Sequence, residues 1–326
     1  MSDETTGDHV YAGIDIGGTN VKYGLLNSSG KVLYREQRPT LVEKGASALM
    51  HLIGNISERL LYYAAEEDLP VKWLGVGTPG AVDCRSGKVI GPCPNIDGWQ
   101  GMEIGKTLKE RLNLPVWVDN DVNAVALAEA RFGAASGARS AVVVTVGTGV
   151  GGAVIINGKL WRGATYAAGE LGHMTINFDA PVKHAGIPGT IEAYCCSQAI
   201  LERVNARLKQ TPSPIIEEIL DGHANGLTIR KVFAAARKGD TIAVDVLRET
   251  ALYLGIGLAG IVNLLNPEVV VIGGGVADGG AGFLEAVSAE IKKYAFGSAT
   301  QNLSVVKAAL GNDAGFIGAG LLGECN

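Results

Sequence analysis

The chain has 326 residues, of which 47% are hydrophobic and 19% are charged, a composition typical of a folded globular protein rather than a disordered one. The formal net charge of -5 provides no basic surface for nucleic acid, so we expect a small-molecule partner and no nucleic-acid partner. The five cysteines lack the even number and spacing of a disulfide framework, which indicates reduced thiols and a cytoplasmic protein.

The chain begins with an acidic, polar segment that is followed by a predicted β-meander. Residues 1–10, MSDETTGDHV, do not resemble a signal or transit peptide, so we expect no export. Residues 10–37, VYAGIDIGGTNVKYGLLNSSGKVLYREQ, alternate three apolar runs with a Gly-Gly turn and an Asn-to-Gly turn, which predicts a three-stranded antiparallel meander. Because glycine lacks a Cβ, such a turn can present backbone N–H groups to an anion.

Residues 140–160, SAVVVTVGTGVGGAVIINGKL, repeat the plan of this meander. At a constant offset of 130, the shared positions include Gly17 with Gly147 and Asn27 with Asn157. Two glycine-rich hairpins in one register favour two related domains that grip a polyphosphate from opposite sides; chance similarity of two glycine-rich turns is the alternative. Neither turn has the ending of a P-loop, and the second is followed by a strand-like run where a dinucleotide fold has a helix.

A candidate catalytic carboxylate stands at residues 114–133, LPVWVDNDVNAVALAEARFG. Here a short apolar strand ends in Asp119, Asn120 and Asp121, and a helical pattern follows. Open α/β sheets bind ligands at the C-terminal ends of their strands, so a carboxylate at this point is well placed to meet a substrate. The alternative is that Asn120 or Asp121 only caps the helix, as such residues commonly do.

Two apolar segments follow in the C-terminal third. Residues 251–265, ALYLGIGLAGIVNLL, are too few to span a bilayer, and their glycines suit helix packing. We therefore predict a buried core helix and no membrane partner. Residues 268–276, EVVVIGGGV, read as a strand that ends in three glycines, which form either a ligand-binding turn or a simple strand-to-helix turn.

Seven segments in chain order carry a resemblance to a known family: AGIDIGGTNVK, GVGTPGAVD, PNIDGW, VDNDVNAVALAEARFG, VTVGTGVGGAVIINGKLWRGATYAAGELGHM, NLLNPEVVVIGGGV and LGNDAGFIGAG. Together they resemble the ROK family of bacterial sugar kinases and repressors, within the actin, hexokinase and ribonuclease-H-like superfamily. The resemblance implies an α/β fold of two ribonuclease-H-like (actin-like ATPase) domains, with mixed sheets flanked by helices and a cleft between them. We expect residues 1–118 and 306–326 in the smaller N-terminal domain and residues 119–305 in the larger one.

The resemblance also implies the roles of individual residues. Asp121 becomes the base that accepts the proton of a sugar hydroxyl. The implied sugar contacts are Asn95, Asn120, Asp121, Glu170, His173 and Glu192, whose carboxylates and amides suit the hydroxyls of a polyol. The implied nucleotide contacts, with Asp15 near the metal-bound phosphates and the last three glycines near the adenosine, are Asp15, Gly17, Gly18, Thr19, Gly147, Thr148, Gly149, Gly273, Gly274 and Gly275.

The implied activity is phosphorylation of a hexose by ATP with Mg²⁺. Glucose, giving glucose 6-phosphate for glycolysis, is our first choice of substrate, and N-acetylmannosamine, N-acetylglucosamine, fructose and allose are alternatives. Polyphosphate is an alternative donor, and we expect a homodimer. Family repressors carry a helix-turn-helix module before the first glycine motif, whereas ten residues precede Tyr11. A sugar-binding regulator with weak catalysis is the remaining alternative.

We expect no structural zinc in the loop KHAGIPGTIE at residues 183–192. In many family members the histidine of GELGH, here His173, joins three cysteines of a Cys-x-Cys-Gly-x-x-Gly-Cys-x-Glu loop. This chain has Gly186, Gly189 and Glu192 in place, but the cysteine positions hold Lys183, Ala185 and Thr190. Cys195 and Cys196 come later, on a predicted helix. We expect the loop to be held by packing around Ile187, Pro188 and Ile191; a site formed by His184, His173 and a cysteine is the alternative.

Overall fold

The structure is a computed structural model that describes residues 9–180, 183–184, 186–220 and 226–325. Ala185 lies outside these ranges, and only the backbone of Lys183 and His184 is described. The chain divides into two compact units. Unit 1 contains the described residues up to Gly137, the segment Lys159–Ala168 and the described chain from Ala309. Unit 2 contains the described residues of Ala138–Gly158 and Gly169–Ala308.

Strands and helices alternate along much of the chain. The strands of the described residues are β1 (Val10–Ile16), β2 (Asn20–Asn27), β3 (Val32–Pro39), β4 (Val71–Thr78), β5 (Val82–Asp83), β6 (Lys88–Val89), β7 (Val116–Asn120), β8 (Ala141–Val146), β9 (Val150–Ile156), β10 (Lys159–Leu160), β11 (Lys183–His184), β12 (Ile187–Pro188), β13 (Val269–Gly273) and β14 (Ser304–Lys307). The α-helices are α1 (Gly45–Glu66), α2 (Ile104–Leu112), α3 (Asp121–Phe132), α4 (Ile191–Cys195), α5 (Ser197–Leu208), α6 (Pro214–Leu220), α7 (Ile229–Arg237), α8 (Thr241–Leu265), α9 (Ala281–Tyr294), α10 (Gly297–Thr300) and α11 (Ala314–Leu321).

Unit 1 is built on a mixed sheet with the strand order β3-β2-β1-β4-β7. The strands β1, β2 and β3 pair antiparallel, which confirms the predicted meander, whereas β4 and β7 run parallel to β1. Alternate residues of β1 face two different cores, because side chains alternate across a strand. Ile14 packs with α1, whereas Tyr11 packs with Phe316 of α11.

Glycines in this sheet allow α11 to pack directly on the strands. A Cβ at Gly13 would overlap the carbonyl oxygen of Phe316, and one at Gly75 would overlap that of Ala319. A side chain at either position would therefore push the helix off the sheet. Part of the high glycine content thus serves packing rather than ligand binding.

Unit 2 contains a mixed sheet in which β9, β8, β13 and β14 lie side by side in that order. Its core surrounds α8, whose residues from Ile242 to Val262 are largely buried. The predicted core helix at residues 251–265 is the second half of α8, which confirms that prediction. Among the described residues, no helix has both the length and the apolarity that crossing a membrane requires.

The two hairpins have related topology but not a constant register. In unit 1, Ile16 pairs with Val21 across the turn, whereas in unit 2 Val146 pairs with Val150. The second turn is one residue shorter, so the offset changes from 130 in the first strand to 129 in the second. The predicted match of Gly17 with Gly147 is confirmed. The match of Asn27 with Asn157 is wrong, because a constant offset ignores the shorter turn.

Helix α3 belongs to unit 1, whereas the sequence predicts residues from 119 onward in the larger domain. It packs against α11, and its buried Glu129 accepts hydrogen bonds from the N–H groups of Ala309 and Leu310 at 3.0 and 2.9 Å. Unit 1 therefore continues past residue 118 to Gly137, and its C-terminal segment begins at Ala309.

Candidate active site

The strand end at Asp119-Asn120-Asp121 forms as the sequence predicts. Strand β7 ends at Asn120 and α3 begins at Asp121. Asn120 is the N-cap: its Oδ1 accepts from the N–H groups of Val122 (2.8 Å) and Asn123 (3.2 Å), and its Nδ2 donates to the Gly80 carbonyl at 3.2 Å. The capping alternative is therefore confirmed for Asn120.

The carboxylate of Asp121 is held at the first turn of α3. Its Oδ1 accepts a hydrogen bond of 3.0 Å from the N–H of Val122. The N-terminus of a helix also favours a negative charge, since its N–H dipoles point toward it. The backbone thus helps to orient the candidate base.

Asp15 and Asp121 interact within unit 1, although they are far apart in the sequence. Burial and the nearby charge of Asp121 raise the pKa of Asp15 from 3.8 to about 7, while Lys22 acts in the opposite direction. Gly315 of α11 packs against the Asp15 carboxylate so closely that a Cβ there would overlap it. The structure therefore brings two predicted site carboxylates together, and each is only partly exposed to solvent.

The first glycine turn, Gly17 to Thr19, begins two residues after Asp15. Thr40 anchors it, because its N–H bonds to the Thr19 carbonyl at 2.9 Å and its hydroxyl to the Gly17 carbonyl at 2.6 Å. A Cβ at Gly18 would meet no atom within 4 Å. The protein itself leaves room at Gly18, and the anchoring role of Thr40 was not predicted from the sequence.

Asn95 lies on an exposed loop that a buried tryptophan, Trp99, anchors to the sheet of unit 1. The indole N–H of the fully buried Trp99 donates to the Thr78 hydroxyl at 2.9 Å, which ties the loop to the end of β4. Burial, and next the charge of Asp121, raise the pKa of Cys93 in the same loop. The loop that carries Asn95 therefore lies close enough to Asp121 for an electrostatic interaction.

In unit 2, Glu192 supports the second glycine turn, Gly147 to Gly149. Glu192 is in α4, which Thr190 caps by accepting the N–H of Ala193 at 3.2 Å. The Oε2 atom of Glu192 accepts the N–H of Val150 at 2.6 Å, and a Cβ at Gly149 would lie 2.5 Å from that oxygen. A Cβ at Gly147 would meet no atom within 4 Å. The two glycines of this turn thus have different neighbours.

The three glycines 273–275 lie beside the second glycine turn. Gly274 has φ +84°, and a Cβ there would overlap the carbonyl oxygen of Val146. The N–H of Val276 bonds to the same carbonyl at 3.1 Å. A strand-to-glycine turn is confirmed at this position, and it adjoins the predicted phosphate-binding residues of unit 2.

Glu170 and His173 are near one another and near Glu192. His173 lies in a 3₁₀ turn, Leu171–His173, and its Nε2 is 3.8 Å from Glu170 Oε2. Desolvation raises the pKa of Glu170, although part of its side chain stays exposed; His173 opposes this rise and Glu192 adds to it. Three predicted sugar contacts are therefore electrostatically coupled within unit 2.

The loop before α4 departs from its predicted packing. Gly189 has φ +59°, and a Cβ there would overlap the Asn177 carbonyl, so glycine is required. Ile191 is buried, but Ile187 is 39% exposed and does not hold the loop as predicted, because it sits in the short β12 rather than facing the core. Cys195 ends α4 and Cys196 caps it. Among the described residues, no group of three or more His, Cys, Asp or Glu side chains could hold a metal ion.

The predicted residues fall into two groups, one within each unit. Unit 1 holds Asp15, Gly17, Gly18, Thr19, Asn95, Asn120 and Asp121, and unit 2 holds Gly147, Thr148, Gly149, Glu170, His173, Glu192, Gly273, Gly274 and Gly275. Sequence reasoning missed the buried ion pair of Asp119 with Arg162. The stretch DNDVN begins at Asp119, but its local pattern indicates only the roles of Asn120 and Asp121, and no local pattern links Arg162 to Asp119.

Comparison with known proteins agrees with this fold. The model of the ROK family matches residues 11–324, and the chain belongs to that family. It is 34% identical over 319 residues to a glucokinase of Halalkalibacterium halodurans, covering 97% of this chain and 95% of the relative. It is 32% identical to a xylose repressor of Caldicellulosiruptor bescii, covering 90% of this chain and 72% of the repressor.

A solved structure supports the same assignment. The crystal structure of a ROK family glucokinase from Streptomyces griseus, in complex with glucose and AMPPNP, superposes with a TM-score of 0.83 at 33% identity, covering 96% of this chain and 98% of that one. The fold is therefore the actin- and hexokinase-like α/β fold with two domains that the sequence predicted.

Proposed function

We propose that this protein is an ATP-dependent sugar kinase that transfers a phosphoryl group to a hexose hydroxyl. The preferred substrate that we propose is glucose, which is converted to glucose 6-phosphate. The observation that carries the proposal is that Asp15 and Asp121 lie close together within unit 1, beside the first glycine turn. Family membership and the glucokinase relatives support it.

In the proposed reaction Asp121 accepts the proton of the sugar hydroxyl. Phosphoryl transfer has a loose transition state, so the protein contributes mainly alignment and charge stabilisation. A carboxylate is a weak base toward a resting alcohol, but the hydroxyl acidifies as its oxygen bonds to phosphorus. The hydrogen bond from the Val122 N–H orients Asp121 for this role.

The two glycine turns are proposed to bind the phosphates through their backbone N–H groups. The open space at Gly18 and at Gly147 supports this role, because no protein atom occupies the place of a Cβ there. Gly273, Gly274 and Gly275 are proposed to lie near the adenosine. Gly149 contributes differently, since it makes room for Glu192.

Asp15 fits the magnesium ion that accompanies ATP. Mg²⁺ commonly takes only one or two protein carboxylates and completes its shell with water and phosphate oxygens, so it does not need a larger cluster of protein ligands. A cation would also favour the ionised form of Asp15, which burial and Asp121 disfavour. When bound with the nucleotide, Mg²⁺ neutralises charge on the transferred phosphate.

The sugar is proposed to bind Glu170, His173 and Glu192 together with Asn95 and Asn120. Carboxylates accept hydrogen bonds from hydroxyls, and the amide and imidazole groups can donate. Both polar atoms of the Asn120 side chain already make hydrogen bonds within the protein, so Asn120 would bind the sugar in addition to those bonds. N-acetylmannosamine, N-acetylglucosamine, fructose and allose remain alternative substrates, since all present similar hydroxyls.

A coupled assay of ADP release tests this function. Wild-type protein with Mg²⁺ and ATP should phosphorylate glucose with the highest kcat/KM in a panel of these five sugars. The Asp121→Asn variant is the negative control. If no sugar is phosphorylated with ATP or polyphosphate while calorimetry still detects sugar binding, the kinase proposal is wrong and a regulator of the xylose repressor type is favoured.

A further inference from the structure

Asp119 lies two residues before the proposed base, and both of its carboxylate oxygens accept hydrogen bonds from the protein. The residue is only 2% exposed. Its Oδ1 accepts from the Asn120 N–H at 2.7 Å and from Asn123 Nδ2 at 2.8 Å, and its Oδ2 accepts from Arg162 Nε at 2.6 Å. Three donors therefore converge on one buried carboxylate, and two of them belong to the N-cap and the first turn of α3.

Only a carboxylate can satisfy these three donors. Both of its oxygens accept, whereas the amide of an asparagine offers one acceptor oxygen and one donor NH₂ group. An asparagine at position 119 must therefore point its NH₂ group either at Arg162 or at the Asn120 and Asn123 donors. The geometry requires the negative charge rather than the shape alone.

Arg162 comes from a separate segment, Lys159–Ala168, here named the strap. The strap belongs to unit 1, although the chain before and after it belongs to unit 2. The ion pair fixes this segment to the strand end that carries Asn120 and Asp121. Glu170 is the second residue after the strap in the sequence, so the strap immediately precedes a proposed sugar contact.

We propose that Asp119 and Arg162 form a positioning pair that holds Asn120 and Asp121 in their reactive arrangement; this inference rests on the proposed kinase function. Neither residue is assigned a contact with substrate. A buried ion pair is weak evidence for stability, because desolvation offsets its attraction. The pair is better explained by a need for fixed geometry, since small displacements of reacting groups can reduce rates by about 10²-fold.

The test compares Asp119→Asn with Glu129→Gln, a matched control at the other end of α3. Glu129 is fully buried and accepts the N–H groups of Ala134, Ala309 and Leu310 at 2.7, 3.0 and 2.9 Å. Asp119→Asn should lower kcat about 10- to 100-fold and raise the KM for glucose, with the KM for ATP changed less than about twofold. Glu129→Gln should lower the Tm but leave kcat and both KM values within about twofold.

Variants of Arg162 provide an independent measurement if Asp119→Asn does not fold. Arg162→Met removes the cation and should reduce kcat as Asp119→Asn does, whereas Arg162→Lys keeps the charge and should recover part of the loss. Rescue by lysine is expected of a positioning charge and not of a packing contact. All kinetics are measured below the Tm of each variant.

Several outcomes would overturn the inference. It is wrong if Asp119→Asn and Glu129→Gln lose kcat equally, or if Arg162→Met keeps the kcat of the wild type. In both cases the kinase function stands as long as the wild type phosphorylates a sugar. If the wild type phosphorylates no sugar, the proposed function fails, and the positioning role falls with it.

Discussion

The two glycine turns share a hairpin setting but differ in the side chains beside them. In unit 1, Asp15 precedes the turn, and its carboxylate is coupled to Asp121. In unit 2 the equivalent position in β8 is Thr145, and the carboxylate near the turn comes instead from Glu192 on α4. The repeated backbone motif is therefore kept in both units, while the proposed base and metal-binding carboxylate are found only in unit 1.

The largest expected effect comes from the carboxylate that accepts the proton. Asp121→Asn should reduce kcat by about 10²- to 10⁴-fold, the usual contribution of a general base, because the amide keeps the shape but cannot accept a proton. The dissociation constant for the sugar, measured by calorimetry, should change less than about tenfold. Asp240→Asn, at the N-cap of α8, is the control. Its amide oxygen can still accept the N–H of Ala243, and its NH₂ group can donate to the Ser213 hydroxyl, which can accept as well as donate. A mutant that keeps most of its turnover would show that the chemistry does not depend on Asp121.

The raised pKa of Asp15 predicts a pH-dependent stability in unit 1. As the pH rises from 3.8 toward about 7, the unfolded chain loses the Asp15 proton while the folded protein keeps it. The contribution of Asp15 to stability is therefore complete below pH 3.8 and lost as the pH rises through about 7, by about 1.4 kcal/mol per pKa unit.

Urea unfolding between pH 4 and pH 8 measures this effect without ligands. The free energy of unfolding of the wild type relative to Asp15→Asn should fall across this range. Thr145→Val, at the equivalent position of unit 2, removes no titrating group and should give a flat difference from the wild type. A flat difference for Asp15→Asn as well would contradict the raised pKa.

The second glycine turn offers a smaller effect that separates two roles of glycine. The sequence treats Gly147 and Gly149 alike, as residues that face phosphate. In the structure, Gly149→Ala should displace Glu192 from the Val150 N–H, since the new Cβ would lie 2.5 Å from its carboxylate oxygen. An unsatisfied buried donor costs about 1–3 kcal/mol, so both the Tm and the sugar affinity should fall.

Gly147→Ala is the matched variant in the same turn. Its Cβ meets no protein atom within 4 Å, so the Tm should stay close to that of the wild type while the affinity for ATP falls. Calorimetry with each ligand distinguishes the two variants. Equal losses of ATP affinity and Tm in both variants would remove the distinction between a ligand-facing glycine and a glycine that accommodates Glu192.

The smallest expected effect concerns zinc in unit 2. We expect elemental analysis of protein purified without added metal to show well under one zinc per chain, and incubation with a zinc chelator to leave the Tm unchanged. Lys183, Ala185 and Thr190 replace the cysteines of the family loop, and none of these residues supplies a thiolate. Stoichiometric zinc, lost with activity on chelation and restored by zinc but not by magnesium, would contradict this.

Local patterns were sufficient where the decisive interactions are close in the sequence. The meander of β1, β2 and β3 follows from alternating apolar residues and turn residues, and the end of β7 follows from a short apolar run before a capping residue. The prediction of a constant offset between the two hairpins was wrong, because the second turn is one residue shorter than the first. The packing of Ile187 failed too, because an apolar residue in a short loop strand can face either side.

The sequence by itself determined the two glycine hairpins, the strand end that carries Asp121 and the buried helix α8, since each depends on the order of neighbouring residues. The tertiary structure alone decided that Asp15 lies close enough to Asp121 for their charges to interact, that Glu192 supports Gly149, and that Arg162 neutralises Asp119. These pairs join residues far apart along the chain. Their interactions depend on burial and distance, which are set only when separate elements pack together.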